Sequence, residues 1–290
     1  MDPSRPLERL ARPKVNLTLE LLGRRGDGYH LLDSLVVFAD TGDRLRLESA
    51  PELALRTSGP FSEGLPPAEQ NLVMRAARAL ADLAGPPPRG ALLTLDKRLP
   101  PAGGIGGGSA DAAAALLGLV ELWGMRPDPK ALYDLALSLG ADLPVCLNGK
   151  ACLMRGIGEE LEAAPELPRF SLLLVNPGVA LETAAVFRQR SGPFTPSRPW
   201  PEGFASLDLL IEALRGRTND LQATALELQP VIGDCLGSLE RLAGCLLARM
   251  SGSGATCFGL FATLEEAKQA AGLLARERPD WWIEAADVDP

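Results

Sequence analysis

The chain contains a single histidine, and its five cysteines include no C-x-x-C pair. Structural zinc sites need several such ligands at close spacing, so a zinc protein is not expected. An odd number of scattered cysteines instead indicates reduced thiols in a cytosolic protein. No apolar run approaches the length of a membrane span, and Met1-Asp2-Pro3-Ser4 does not begin the basic-then-apolar pattern of a signal peptide. We therefore expect a cytoplasmic protein with no membrane partner.

Basic residues are outnumbered by acidic ones, 29 to 37, and the formal net charge is −8. This balance argues against non-specific binding to nucleic acid or to an anionic membrane. A small anionic ligand is still compatible with it, because backbone N–H groups can supply a local positive field. The 290 residues, 46% of them apolar, are enough for two domains with buried cores. The sequence does not determine the oligomeric state, and our expectation is a monomer or a weak homodimer.

The most informative segment runs from Pro101 to Asp111 and has five glycines among residues 103–108. An alanine- and leucine-rich run follows, which predicts a helix that begins where the loop ends. A glycine loop at a helix N-terminus directs several backbone N–H groups at one point and can bind phosphate without a basic side chain. No lysine precedes Ser109, which argues against a P-loop, and Ser109 stands where G-x-G-x-x-G needs its final glycine. The alternative is a flexible connector, which would not need glycines clustered at a helix start.

Hydrophobic periodicity divides the rest of the chain into short strands and amphipathic helices. Strands are predicted over residues 15–22, 31–38, 44–48, 92–99, 152–155, 172–175 and 256–261. Helices are predicted over residues 71–83, 128–139, 183–189, 207–214, 221–228, 231–242 and 264–274, besides the helix after the glycine loop. The proline run 86–88 ends the first of these helices, and residues 191–203 predict a long loop. The order of these elements predicts an α+β protein with two domains, residues 1–162 and 163–290.

Three separated segments carry the strongest chemical signal. The first is Pro13-Lys14-Val15-Asn16-Leu17, followed by Asp27-Gly28-Tyr29-His30. The second is the glycine loop with Gly140-Ala141-Asp142-Leu143-Pro144 downstream, and the third is Ser251-Gly252-Ser253-Gly254. Their order resembles the GHMP kinase superfamily, whose members transfer the γ-phosphoryl group of ATP to a small alcohol. The resemblance extends from Pro13 to Phe261 and implies a ribosomal-protein-S5-domain-2-like N-terminal domain and a ferredoxin-like α/β sandwich at the C-terminus.

Residues 23–30 and 140–144 resemble one branch of this superfamily, in which the acceptor alcohol carries a cytidine diphosphate group and leads to isoprenoid precursors. The resemblance implies ATP and Mg²⁺ as cofactors. It also implies that ATP is bound by the residues of the glycine loop: Pro101, Ala102, Gly103, Gly104, Ile105, Gly106, Gly107, Gly108, Ser109, Ala110 and Asp111. The hydroxyl of Ser109 is a candidate Mg²⁺ ligand, and no carboxylate can be assigned to the metal. Residues 251–254 are expected to close the site from the second domain, and their alternative role is a tight connector before a strand.

Asp142 and Lys14 are the residues that the resemblance assigns to catalysis. A carboxylate near the acceptor hydroxyl can orient it and take its proton as the phosphoryl group is transferred. The ordinary role of an aspartate after Gly140 is a cap, and that of a single lysine is a solvated surface charge. An ammonium group near the γ-phosphate would stabilise developing negative charge and keep Asp142 ionised. Strand alternation puts Asn16 on the same face as Lys14, and the resemblance places it near the substrate.

Tyr29 and His30 are, by the same resemblance, the residues that bind the cytosine. A tyrosine ring offers a stacking face, and a neutral imidazole offers one donor and one acceptor to the edge of a base. A lone histidine is more often an ordinary packed or surface residue. Thr183 matches a threonine that contacts the substrate, with helix capping as an equally weighted alternative. Relatives often have an aromatic residue where this chain has Val36, so we expect Phe38 or another residue to fill the gap, or one-sided stacking.

Two other functions stay open from the sequence. A homoserine-, mevalonate- or sugar-kinase-like enzyme would share the phosphate loop, and Asp27-Gly28-Tyr29-His30 argues against it. A non-enzymatic, nucleotide-binding regulator would keep the fold without turnover. The presence of both Lys14 and Asp142 argues against such a regulator.

Overall fold

The computed structural model describes residues 6–87 and 89–289, except for the side chain at 289. The predictions made on Met1-Asp2-Pro3-Ser4 and on Pro88 fall outside the described residues. The strands are β1 (Leu7–Ala11), β2 (Lys14–Asn16), β3 (Glu20–Arg24), β4 (His30–Ala39), β5 (Asp43–Ser49), β6 (Leu53–Ser58), β7 (Ala91–Asp96), β8 (Cys152–Gly156), β9 (Glu160–Ala163), β10 (Ser171–Asn176), β11 (Leu247–Met250), β12 (Cys257–Phe261) and β13 (Trp282–Asp289). The helices are α1 (Leu72–Ala84), α2 (Gly107–Leu122), α3 (Pro129–Leu139), α4 (Leu143–Asn148), α5 (Thr183–Gln189), α6 (Leu207–Arg215), α7 (Gln222–Leu228), α8 (Val231–Glu240) and α9 (Leu264–Glu277). The mixture of helices and sheets confirms the predicted α+β class.

The described residues form two compact units, each assembled from separate stretches of chain. We call residues 6–13, 41–101 and 106–149 the small-sheet unit, and residues 14–40, 102–105 and 150–289 the large-sheet unit. The chain passes from one unit to the other inside the glycine loop, between residues 105 and 106. The predicted domain division is a single cut between residues 162 and 163, and it stays a prediction.

The small-sheet unit has a four-stranded sheet in the order β1-β5-β7-β6, in which β6 and β7 run parallel. Two of its helices, α1 and α3, begin where local sequence signals predict. The side chain of Asn71 accepts the N–H of Val73 at 2.9 Å and starts α1. Asp128 caps α3 by accepting the N–H of Lys130 at 2.9 Å, and Gly140 ends that helix.

Helix α2 is the buried helix of this unit and packs against α1, α4, β1 and β5. Five of its sixteen residues are alanine, and those from Ala112 to Ala115 are buried. A Cβ at Gly118 would lie 2.7 Å from the Leu47 side chain of β5. The run of small residues therefore gives α2 its helix propensity and also its close approach to the sheet.

The large-sheet unit has a sheet in the order β11-β12-β10-β13-β4-β8-β9, and both β2 and β3 pair with β4. The prediction of one strand over residues 15–22 is wrong, because the chain leaves the ladder between β2 and β3. The hydroxyl of Thr18 accepts the N–H of Leu35 at 3.1 Å, and the N–H of Leu19 turns to the carbonyl of Thr218 at 2.9 Å. A side-chain hydrogen bond thus replaces a backbone pair at this break.

The core of the large-sheet unit lies between its sheet and α6. Val15, Leu35, Leu172 and Phe258 are fully buried on the sheet side, and Leu214 is fully buried on the helix. Other elements escaped sequence prediction: β1, β6, β9, β11, β13 and α4. Three of the predicted site residues of this unit, Lys14, Asn16 and His30, stand on β2 and β4, which contribute to this core.

Candidate active site

Ser251 joins three of the motif segments within the large-sheet unit. Its hydroxyl accepts the backbone N–H of Asn16 at 3.1 Å and donates to the carbonyl of Gly104 at 3.2 Å. The backbone N–H of Lys14 donates to the carbonyl of Ile105 at 3.0 Å. The Lys14 strand, the beginning of the glycine loop and the Ser251 loop therefore form one hydrogen-bonded cluster.

The two glycine-rich loops approach each other backbone to backbone. Gly104 has a φ of +74°, and a Cβ there would lie 2.6 Å from the carbonyl oxygen of Gly254. Gly252 has a φ of +56°, and a Cβ there would lie 2.5 Å from the carbonyl oxygen of Gly104. Neither position has room for a side chain, so glycine is required at both. Residues 102–105 are therefore packed against the second loop, and the flexible-connector alternative is wrong for them.

Lys14 is buried, with only 4% of its surface exposed, so the alternative of a solvated surface lysine is wrong. Its Nζ donates to Oδ1 of Asn16 at 3.0 Å, which confirms that the two side chains share a face of β2. The side-chain amide of Asn16 in turn donates to the hydroxyl of Ser34 on β4 at 2.7 Å. Burial of an amine is unfavourable unless polar groups hold it, and this relay from β4 fixes the position of the Lys14 amine.

Asn219 is hydrogen-bonded to the backbone of the Ser251 loop, and sequence analysis missed it. Its side-chain amide donates to the carbonyls of Met250 at 2.7 Å and Gly252 at 2.8 Å. Arg249, in the strand before that loop, donates to the carbonyl of Leu17 at 2.6 Å, and burial lowers the pKa of its guanidinium to about 10. Neither residue belongs to a recognisable motif, because each acts on backbone that is distant in sequence.

The ring of His30, at the start of β4, lies beside two phenylalanines. Its centroid is 5.5 Å from that of Phe187 on α5 and 6.2 Å from that of Phe194 in the following loop. Phe38 is buried with 1% exposure, which favours the alternatives that another residue fills the gap left by Val36 or that stacking is one-sided. Phe187 and Phe194 are the aromatic residues that sequence analysis missed. Phe187 could have been found from the sequence, because it follows Thr183 by four residues and therefore lies on the same face of the predicted helix.

Tyr29 is 60% exposed, so a face of its ring is open to a ligand. Burial, followed by the charges of Arg24 and Arg190, lowers the pKa of His30 below its usual 6.5. The imidazole is therefore neutral at pH 7, with one donor and one acceptor. The structure thus supports the predicted form of the ring, while its role as a cytosine ligand stays a prediction.

Thr183 is the first residue of α5, and Glu182 is the residue at the cap position. The capping alternative for Thr183 is therefore wrong. Its hydroxyl lies 2.8 Å from the hydroxyl of Ser253. This contact connects α5 to the Ser251 loop, and hence to the cluster that contains Lys14 and Asn16.

In the small-sheet unit, Gly106 precedes α2 with a φ of +64° and no side chain caps the helix. The carbonyl of Gly106 accepts the N–H of Ala110 at 2.8 Å, which is the first intrahelical bond. The preceding N–H groups, those of residues 107–109, have no carbonyl within the helix and are directed into the loop. Ser109 is partly exposed in this turn. The arrangement provides the anion-binding helix terminus that the sequence predicts.

Asp142 precedes α4 in the same unit and is partly exposed. Its side chain makes no capping hydrogen bond to the helix. Asp142 thus occupies the cap position of α4 without a capping hydrogen bond to that helix, and its role as the base stays a prediction. The loop after Gly140 and the start of α4 hold the carboxylate at the end of a helix rather than within one.

Asp111 is buried beneath the glycine loop rather than exposed in it. Its Oδ2 accepts from Nζ of Lys97 at 2.7 Å, and the same amine donates to Asp43. Burial raises the pKa of the Asp111 carboxyl, and the ammonium group of Lys97 opposes this shift. A Cβ at Gly107 would lie 3.4 Å from that Nζ. This buried triad supports the first turn of α2 from inside the unit, and sequence analysis missed both Asp43 and Lys97.

Among the residues described, no group of three or more His, Cys, Asp or Glu side chains is arranged to hold a metal ion. Within the same residues, no helix combines the length and apolarity needed to cross a membrane.

Comparison with known proteins agrees with this geometry. Residues 71–150 match the GHMP kinases N terminal domain, and residues 203–277 match the GHMP kinases C terminal family. The chain is 51% identical over 278 residues to a 4-diphosphocytidyl-2-C-methyl-D-erythritol kinase of Paramagnetospirillum magneticum, covering 96% of this chain and 97% of that one. It is 51% identical over 286 residues to the protein of the same name from Parvibaculum lavamentivorans, covering 98% of each chain.

Solved structures give the same result. A crystal structure of 4-(cytidine 5'-diphospho)-2C-methyl-D-erythritol kinase superposes with a TM-score of 0.80 at 36% identity, covering 98% of this chain and 100% of that one. A homoserine kinase from Cytophaga hutchinsonii superposes with a TM-score of 0.67 at 18% identity, over 98% of this chain and 94% of that one, which is a likeness of fold alone. The chain belongs to the GHMP kinase family, in its 4-diphosphocytidyl-2-C-methyl-D-erythritol kinase branch, and is a kinase of a small molecule.

Proposed function

We propose that the chain transfers the γ-phosphoryl group of ATP to the 2-hydroxyl of 4-diphosphocytidyl-2-C-methyl-D-erythritol, in non-mevalonate isoprenoid precursor synthesis. The observation that carries the proposal is the cluster around Ser251, in which a buried Lys14 and both glycine loops meet. The products are ADP and the 2-phosphate of the alcohol. The similarity to kinases of that name over nearly the whole chain supports this acceptor over homoserine or mevalonate.

In the proposed reaction, the acceptor oxygen forms a bond to the γ-phosphorus while the bond from that phosphorus to the β,γ-bridging oxygen breaks. Asp142 acts as the general base and takes the proton of the acceptor hydroxyl. The amine of Lys14 stabilises the negative charge that spreads over the transferring group. Its hydrogen bond to Asn16 sets its position before the substrate arrives.

We assign the ATP phosphates to residues 101–111, with the free N–H groups at the start of α2 as the main donors. Mg²⁺ is expected with the nucleotide. The described residues contain no acidic cluster that would form a cage for it, which fits an ion held mainly by the phosphates, with the Ser109 hydroxyl as the protein's ligand. When bound, the ion neutralises charge on the β- and γ-phosphates.

We assign the cytosine to Tyr29 and His30, whose ring is flanked by Phe187 and Phe194. The neutral imidazole can pair with the edge of the base, and the aromatic rings can stack on its faces. We assign Thr183 and Asn16 to contacts with the rest of the substrate. We further expect a cytoplasmic monomer or weak homodimer that binds no nucleic acid.

The test is ADP release from Mg-ATP with the cytidyl substrate, in parallel with the same alcohol lacking its cytidyl group. Turnover only with the cytidyl substrate supports the proposal, and turnover with neither refutes it for a protein that binds ATP.

Asp142→Asn should lower kcat by about 10²–10⁴-fold while both ligands still bind. Asp134→Asn, which removes an exposed carboxylate from the neighbouring helix α3, is the matched control and should leave kcat unchanged. Wild-type turnover by Asp142→Asn would exclude it as the base.

A further inference from the structure

Helix α5 and the residue that follows it connect the Ser251 loop to the surroundings of His30. Thr183 and Phe187 stand at positions i and i+4 on one side of the helix, and Arg190 is the residue directly after it, with a non-helical φ of −57° and ψ of 128°. Thr183 contacts Ser253 at 2.8 Å, and Phe187 contacts His30 at 5.5 Å between ring centroids. Arg190 therefore follows the helix face that packs on the Ser251 loop and the His30 ring.

Arg190 is held in place by the loop that follows α5. Its guanidinium donates to the carbonyl of Gly192 at 2.8 Å and to that of Pro193, and its Cζ lies 4.9 Å from the ring centroid of Phe194. Phe194 is itself a neighbour of His30. Among the described residues, the Nε of Arg190 is buried without a hydrogen-bond partner, and no carboxylate pairs with this guanidinium. Its positive charge is oriented but not neutralised.

Arg24 contributes a second uncompensated charge from the other side of His30. Its Nε donates to the carbonyl of Gly28 at 3.0 Å, within the turn that presents Tyr29 and His30. The adjacent Arg25 is different, because it forms an ion pair with Asp27 at 2.7 Å. The charges of both Arg24 and Arg190 act on His30 and lower its pKa, which shows that both lie within electrostatic reach of the ring.

We propose that Arg190, assisted by Arg24, binds the diphosphate group of a nucleoside diphosphate whose base lies beside His30. This assignment rests on the proposed cytosine site. A chain with a net charge of −8 has little general attraction for an anionic substrate, so local guanidinium groups must supply it. The planar fork of arginine suits phosphate oxygens, and charge-assisted hydrogen bonds are the stronger kind.

The proposal is tested by calorimetric titration of the full chain with cytidine, CMP and CDP at constant ionic strength. Wild type should bind CDP at least about tenfold more tightly than cytidine, the size expected for one charge-assisted contact. Arg190→Met should remove most of this difference and leave cytidine binding unchanged. Arg190→Lys, which keeps the charge without the fork, should retain part of it. Arg24→Met should cause a smaller loss, because Arg24 is more exposed.

The matched controls are Arg188→Met, an exposed arginine on another face of α5, and Arg25→Met, whose charge is paired with Asp27. Neither should change the preference for CDP. An Arg190→Met protein that is folded by circular dichroism and prefers CDP as strongly as wild type would overturn the proposal. A loss of cytidine and CDP binding together would show that Arg190 supports the pocket instead of the diphosphate. If wild type binds neither ligand, the cytosine site itself is refuted, and the diphosphate assignment is overturned with it.

Discussion

Lys97→Met is expected to destabilise the protein by about 3–5 kcal/mol, because it leaves two buried carboxylates without their shared cation. The side chains of Lys97, Asp43 and Asp111 are 2%, 0% and 4% exposed, so water cannot replace the lost contact. Asp43 would keep the backbone N–H groups of Arg98 and Leu99. Asp111 would keep only its side-chain contact with Asp43, since its Oδ1 already lacks a partner among the described residues. Most of the loss should therefore fall on Asp111.

A double variant tests this assignment. Asp111→Leu removes the stranded carboxylate, so Lys97→Met/Asp111→Leu should be less destabilised than the sum of the two single losses, by about 1–3 kcal/mol. The assay is urea unfolding followed by circular dichroism. Glu121→Gln is the control, because its ion pair with Arg9 is on the same helix α2 but is 31–38% exposed and should contribute at most about 1 kcal/mol. A Lys97→Met loss no larger than that of the control, or strictly additive single losses, would refute the reasoning.

Gly104→Ala should lower the unfolding free energy by more than about 2 kcal/mol, because its Cβ would lie 2.6 Å from the Gly254 carbonyl oxygen in a left-handed backbone conformation. Gly108→Ala is the control, since nothing lies within 4 Å of its Cβ, and equal stabilities in urea would contradict the packing of the two loops. Cytidine affinity should change little as the pH falls from 8 to 7, because burial lowers the pKa of His30 below 6.5 and the ring stays mostly neutral over this range. Titration calorimetry that showed the affinity falling already above pH 7 would contradict this. Cys235 should resist Ellman's reagent at pH 8 until the protein is unfolded, because burial raises the pKa of its thiol to about 12. Rapid labelling of Cys235 in the native protein would show that the thiol is accessible.

Local sequence signals were sufficient where the partners of a residue lie within a few positions. Asn71 and Asp128 each cap a helix through an N–H two residues away, and the sequence predicts both helices correctly. The glycine loop before α2 and the Lys14–Asn16 pair on β2 belong to the same class. Helix caps and strand faces depend only on the types and spacing of residues a few positions apart, so a sequence pattern alone can predict them.

Prediction failed where the deciding partner is distant in the chain. The expected strand over residues 15–22 breaks because Thr18 bonds to Leu35 and Leu19 bonds to Thr218. Strand periodicity contains no information about such partners. A threonine whose hydroxyl replaces a backbone hydrogen bond between strands looks, in the sequence, like any other polar residue of a strand.

The sequence by itself determined the family and predicted the phosphate loop and the site residues, because these are motifs of consecutive or closely spaced side chains. Only the tertiary structure decided what surrounds them. Folding brings Ser251 to Asn16, places Phe187 beside His30, and encloses Lys97 between Asp43 and Asp111. In each case the contact joins residues that are separated by at least 14 positions. Burial and pairing over such distances come from the packing of sheets and helices, which no local pattern specifies.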